Sequence, residues 1–129
     1  MESKSTKSAN KAKGRLGEEA CAAEYEKRGY LIEARNWRKG NRGEIDIVAV
    51  KPGEQLICFC EVKTRSGSSF ARASEAVGYE KRMRYRRLAE MFFWERPEFS
   101  NYYVRFDVAE VYLGSDGRPR EIEMIEAAF

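Results

Sequence analysis

The chain has no histidine among its 129 residues. That absence removes Ser–His and Cys–His catalysis, histidine-based nuclease motifs and most catalytic zinc sites. Any chemistry must come from carboxylates, lysine, hydroxyls or thiols. Cysteine is scarce as well: there are three, Cys21, Cys58 and Cys60, all in apolar surroundings. An odd number, with two of them two apart on one expected strand, suits neither a disulfide framework nor a zinc site, and reads as buried, reduced thiols. No apolar run approaches the roughly 18–20 residues of a membrane span. The first eleven residues are polar and dotted with lysine, without the apolar stretch of a secretory signal. The expectation is a cytoplasmic protein with no membrane partner.

What is present is enough for one domain and too little for two. Lysine and arginine number 24 against 21 acids, for a net charge of +3. The distribution is more telling than the sum. Lys4, Lys7, Lys11, Lys13 and Arg15 load the N-terminal stretch, and Lys81, Arg82, Arg84, Arg86 and Arg87 load one helix. Basic clusters on an otherwise balanced chain suggest a polyanion partner; solvated helix faces are the plainer alternative.

Residues 1–13 read as a flexible basic tail, and residues 14–129 as a single domain. A helix is predicted over 15–28, rich in Ala and Glu and closed by Gly29. A short strand follows at 30–34, then a polar loop over 36–42. Two apolar segments come next, 44–50 and 55–64, joined by the turn signature Lys51-Pro52-Gly53-Glu54 and therefore forming a hairpin. A serine- and glycine-rich loop, 65–69, leads to a helix over 74–94 ended by Pro97, with Tyr85, Leu88, Ala89 and Phe92 as its core stripe. A strand at 104–113, a turn at Ser115-Asp116-Gly117 and an edge strand at 122–125 complete the chain. Helices alternating with strands in this order make an α/β or α+β domain with a central mixed sheet.

The two hairpin strands are apolar on both faces, as in the middle of a buried sheet, yet both carry charge. Side chains two apart on a strand share a face, so Glu61 and Lys63 point together, as do Glu44 and Asp46. Burying such groups is costly unless they are paired or hold a metal. The hairpin register puts Asp46 across from the neighbourhood of Cys60 and Glu61, close enough for the carboxylates to share a cation. Phosphodiester hydrolysis needs a hard cation to polarise phosphate and activate water, and Mg²⁺ or Mn²⁺ prefers oxygen ligands. Asp46, Glu61 and the carbonyl of Val62 could supply them, with Lys63 serving the water or the transition state. Glu18 is the fourth candidate, in the first turn of the first helix and in line with Ala22 and Tyr25, at the rim of the core. Glu44 is expected as a charge at the start of its strand rather than a ligand, and Asp107 as a structural partner of Arg105 or a nearby loop, with a role behind the metal ligands left open. The plainer view makes Glu61 and Lys63 a same-strand ion pair and gives Asp46 to Arg42 or Lys63.

These residues also carry a resemblance. Gly14-x-x-Gly17-Glu18, Gly29-Tyr30, Asn36, Gly43-Glu44-Ile45-Asp46, Glu61-Val62-Lys63-Thr64-Arg65, Lys81 with its following arginines, Arg105-Phe106-Asp107-Val108 and Ala128-Phe129 resemble the YraN family. That family comprises small bacterial proteins thought to be endonucleases of the PD-(D/E)xK, restriction-endonuclease-like superfamily. The resemblance covers nearly all of residues 14–129. It implies a restriction-endonuclease-like core, in the order α-β-β-β-α-β, with a mixed sheet flanked by helices. Position by position, Glu18 matches the helix acid, Asp46 the metal-binding aspartate, Glu61 the second acid and Lys63 the lysine; Ile45 stands where the superfamily name has proline. The helix acid is also similar to that of small junction-resolving nucleases, which points to branched DNA.

The expected function is therefore Mg²⁺- or Mn²⁺-dependent cleavage of DNA, branched or otherwise structured, in repair or recombination. Arg65, Lys81, Arg82, Arg84 and Arg86 are the expected phosphate contacts, and the loop over 66–69 would close on substrate. A junction has two strands to cut, which suits a homodimer. Two other readings are a nucleic-acid-binding module without turnover and an interaction protein whose charged strand ends are only ion pairs.

Overall fold

A computed structural model describes residues 4–66 and 77–129, with side chains from Asn10 onward. Its elements are α1 (Lys4–Lys27), β1 (Leu31–Arg38), β2 (Glu44–Lys51), β3 (Leu56–Ser66), α2 (Tyr79–Glu95), β4 (Tyr103–Leu113) and β5 (Pro119–Ile125). The strands form one five-stranded sheet in sequential order. β3 and β4 run parallel, and every other neighbouring pair is antiparallel. This is the expected α/β arrangement, a mixed sheet flanked by helices, consistent with a restriction-endonuclease-like core. A parallel pair requires a crossover, and α2 supplies it.

Each helix covers one face. Below α2, Ile45, Val48, Val50, Ile57 and Phe59 pack against Tyr85, Leu88, Ala89 and Phe92. Below α1, Ile47, Ala49, Cys58, Cys60 and Ala109 pack against Cys21, Ala22 and Tyr25. All three cysteines are buried free thiols. The α2 stripe is the one predicted, and its aromatic members pack edge-on: Phe59 on Phe92 at 5.6 Å and Trp37 on Phe92 at 5.4 Å.

Two local features seat α1. Gly17 lies so close to β3 that a β-carbon there would fall 1.9 Å from the Thr64 hydroxyl oxygen. At the other end Gly29, at φ +93°, lets the chain turn back, and the Tyr30 N–H closes on the Tyr25 carbonyl at 3.0 Å.

The structure differs from expectation in the extent of α1 and of β1. The α1 backbone is helical from Lys4, not from the neighbourhood of Gly14; Lys13 Nζ reaches Ser66 Oγ on β3 at 2.9 Å and ties this half of the helix down. β1 runs through Arg38, taking in the first part of the expected loop, because Trp37 finds an aromatic partner on α2 while its polar neighbours stay in solvent. The expected loop residues 67–69 and the first residues of the expected second helix, 74–76, lie outside the described residues.

Asp107 is structural, as expected. It is fully buried, bonded twice by Arg105 at 2.8 and 2.9 Å, by the Tyr25 hydroxyl at 2.7 Å and by the Ala127 N–H at 3.0 Å. With every lone pair engaged, it locks α1, β4 and the C-terminal residues together.

Candidate functional site

The ladder between β2 and β3 runs from Lys51↔Leu56 to Ile47↔Cys60 and stops there. At the next residue the strands part. The Asp46 N–H points to the Tyr85 hydroxyl at 3.4 Å, and that hydroxyl donates to the Cys60 carbonyl at 3.3 Å. Tyr85, from α2, thus stands where a backbone bond would otherwise form. The Asp46 carboxylate fills the remaining gap, with Oδ2 accepting the Val62 N–H at 2.8 Å.

β1 is irregular at the same level. Asn36 lies between the pairs Arg35↔Ile47 and Trp37↔Ile45, directly across from Asp46, and has φ +50°. Asparagine is among the few residues that tolerate this left-handed region, and such backbone clusters at functional sites. Side-chain alternation breaks here too: Ile45 joins the core below α2 and Ile47 the core below α1. Asp46 sits at that break, with its carboxylate on the β3 backbone at Val62.

Glu18, Glu44 and Asp46 meet at this point. One oxygen from each lies within 4.8 Å of the others, and all three residues are half-buried. Asp46 is pushed up to about 7, by burial first and then by the charge of Glu61, with Glu18 and Glu44 adding to it against the Val62 N–H. Glu18 is raised by burial, opposed by a hydrogen bond from Asn36, with Glu44 adding to the rise. Arg38 offsets part of the charge, with Nη2 2.7 Å from Glu44 Oε2. The neighbouring charges of Glu61, Glu18 and Glu44 thus hold Asp46 at a cost that a divalent cation would relieve. The donors are carboxylate oxygens, with no nitrogen or sulfur, the ligand type that hard divalent cations take. This group can hold a metal ion.

Of the residues expected in the site, Glu18 and Asp46 are brought together. Glu61 is buried beside them, close enough to raise Asp46, but its carboxylate is held by Lys81 Nζ at 2.5 Å. Val62 contributes its N–H to Asp46. Lys63 follows Glu61 by two residues on β3 and pairs in register with the buried Glu110 on β4. Sequence reasoning did not count Glu44 among the clustered acids and did not single out Asn36 beside them. The spacing of Glu44 from Asp46 was a usable signal; for Asn36 only its tolerance of left-handed backbone was.

The expected phosphate contacts are scattered. Arg65 Nε lies 3.2 Å from Glu110 Oε2, and Arg86 stacks its guanidinium 5.2 Å above Phe106. Lys81 holds Glu61, and Arg82 has its Nε buried without a hydrogen-bond partner. Arg84 is exposed and lies against Gly43. No helix among the described residues is long and apolar enough to cross a membrane.

Comparison with known proteins gives the same family as the motifs. The model of "Uncharacterised protein family UPF0102" matches residues 17–111. A UPF0102 protein of Frankia casuarinae is 46% identical over 121 residues, 94% of this chain and 98% of the relative. Another, of Desulforamulus reducens, is 40% identical over 118 residues, 92% and 95% of the two chains. A third, of Moorella thermoacetica, is 42% identical over 117 residues, 91% and 94% of the two. The matched stretch takes in all three clustered acids and the Glu61–Lys63 strand, and the chain belongs to UPF0102, the YraN family.

Proposed function

We propose that this protein is a metal-dependent nuclease that hydrolyses phosphodiester bonds in DNA, with branched or otherwise structured DNA as its substrate in repair or recombination. The observation that carries the reading is the convergence of Glu18, Glu44 and Asp46 oxygens within 4.8 Å at the parting of β2 and β3. Carboxylates gathered this closely, half-buried, call for a hard divalent cation.

In this mechanism Asp46, Glu18 and Glu44 hold the ion. When bound, Mg²⁺ or Mn²⁺ supplies Lewis acidity to the phosphate and lowers the pKa of attacking water. Asn36 keeps Glu18 turned toward Asp46, and the Val62 N–H holds the Asp46 carboxylate. Lys63 meets the attacking water or the charge that develops on the phosphate. We place the protein in the cytoplasm, where its three buried thiols stay reduced.

One observation favours a second reading. The Glu61–Lys81 pair at 2.5 Å already neutralises one acid of the expected set, as a binding module without turnover would allow.

Cleavage of labelled linear, flapped, forked and four-way-junction DNA with Mg²⁺, Mn²⁺ or EDTA separates the two. The nuclease cuts with metal, is silent in EDTA, and loses activity in Lys63→Ala and Asp46→Asn. DNA binding without cutting under every condition would leave the binding module.

A further inference from the structure

Beside the acid cluster, α2 carries a groove that this chemistry does not use. Its volume is about 620 Å³, and it is lined by Arg42 from the β1–β2 loop and by Tyr79, Met83, Arg84, Arg87 and Leu88 from α2. The buried Leu88 forms its floor, whereas the Tyr79 ring is 68% exposed. All three arginines are exposed. One carboxylate, Glu80, also lines it.

The groove begins next to the acids. A β-carbon on Gly43 would lie 2.8 Å from Arg84 Cδ, so this backbone passes directly against the groove wall. The following residue, Glu44, belongs to the acid cluster. Beyond the cluster, on the α1 side, a cleft of about 430 Å³ is lined by Lys11, Arg15 and Arg38 together with Glu18, Asn36 and Glu44. Basic groups thus flank the carboxylates on both sides.

We propose that the α2 groove binds an unpaired strand of nucleic acid, with a base stacked on Tyr79 and phosphates on Arg42, Arg84 and Arg87. The inference rests on the nuclease reading and narrows its substrate to DNA with a single-stranded segment beside the scissile phosphate. A duplex turns its base faces inward and offers chiefly phosphates, so it would meet the arginines and leave the Tyr79 ring and the apolar floor without a partner. An unpaired strand offers both, and arginines around an aromatic ring are the recurring platform for it. Glu80 gives the edge of a stacked base a hydrogen-bond acceptor.

Fluorescence anisotropy in EDTA tests this without any cutting. The probes are a labelled single strand of about 20 nucleotides and a blunt duplex of the same length, at several salt concentrations. Wild type is expected to bind the single strand about 10-fold more tightly or better. Tyr79→Ala should weaken that binding about 5- to 100-fold, as loss of one stacked base does, while Tyr79→Phe retains it. Arg84→Ala and Arg87→Ala should each lower the slope of log K against log salt by about 0.7. Tyr79 is mostly exposed, so matching thermal melts of its variants confirm an intact fold. Duplex bound as tightly as single strand, or binding untouched by Tyr79→Ala, overturns the proposal. Expected binding with no metal-dependent cleavage would sink the nuclease reading and leave the groove standing; cleavage with no single-strand preference would do the reverse.

Discussion

Replacing Asp46 by asparagine should stabilise the metal-free protein while abolishing its response to metal. In the folded state the Asp46 carboxyl is raised from its ordinary 3.8 to about 7, chiefly by burial and by the charge of Glu61. Between those two values the folded chain holds a proton that the unfolded chain has released. The stability linked to this proton is therefore full below about 4, falls as pH rises and is gone above about 7. A carboxyl moved this far costs the folded state up to roughly 4 kcal/mol above neutral pH. Even a third of that shifts Tm by about 5 °C in a chain of this size. The amide oxygen of asparagine can still accept the Val62 N–H that Asp46 Oδ2 accepts at 2.8 Å, so the geometry survives while the charge is removed. By thermal unfolding in EDTA, Asp46→Asn should melt at least about 5 °C above wild type at pH 8, with the gap closing toward pH 4. Magnesium at about ten times its Kd adds about 1.4 kcal/mol to wild type at pH 8, less at pH 5, and nothing to the variant. A variant that melts at or below wild type at pH 8, or a gap that ignores pH, would refute the view that Asp46 is held in electrostatic conflict.

Three further outcomes follow from the same contacts. Tyr85→Phe removes the hydroxyl between the Asp46 N–H and the Cys60 carbonyl; urea unfolding should show a loss of about 1–2 kcal/mol, with weaker Mg²⁺ binding by calorimetry. Gly17→Ala puts a β-carbon 1.9 Å from Thr64 Oγ1, so it should destabilise by about 1–3 kcal/mol and lower cleavage by moving Glu18, with Thr64→Ala in the same chain restoring part of both. Arg105→Ala strips the buried Asp107 of its two charge-assisted bonds and should cost about 3–5 kcal/mol, read as a fall in the urea midpoint, while replacement of the exposed Arg118 leaves it unchanged.

Much of the fold was legible because it rests on local signals. Pro52-Gly53 between two β-branched, apolar runs could only be a tight hairpin turn, and the four apolar positions of the α2 stripe repeat at helical spacing. Glu18 could be placed at the core's rim from its line with Ala22 and Tyr25, both of which are buried. The candidate site was legible in part. Asp46 stood out because a carboxylate in an apolar strand needs a reason, and Glu18 because of its place on α1.

What the sequence by itself determined was the class of fold, the hairpin, the core-facing stripes and the chemistry left open by an absence of histidine, since each follows from residue type and short-range periodicity. What only the tertiary structure decided was which acids meet. Period-two alternation put Glu44 on the same face as Asp46, and the hairpin register set Asp46 across from Glu61; the break opposite Asn36 and the Tyr85 hydroxyl between β2 and β3 accompany the meeting of Asp46 with Glu18 and Glu44, while Lys81 takes Glu61. These contacts join residues on different elements, and no local pattern encodes a strand's departure from its own period. It is the packing of α1 and α2 on opposite faces of the sheet that sets where the strands part, and with them the carboxylates.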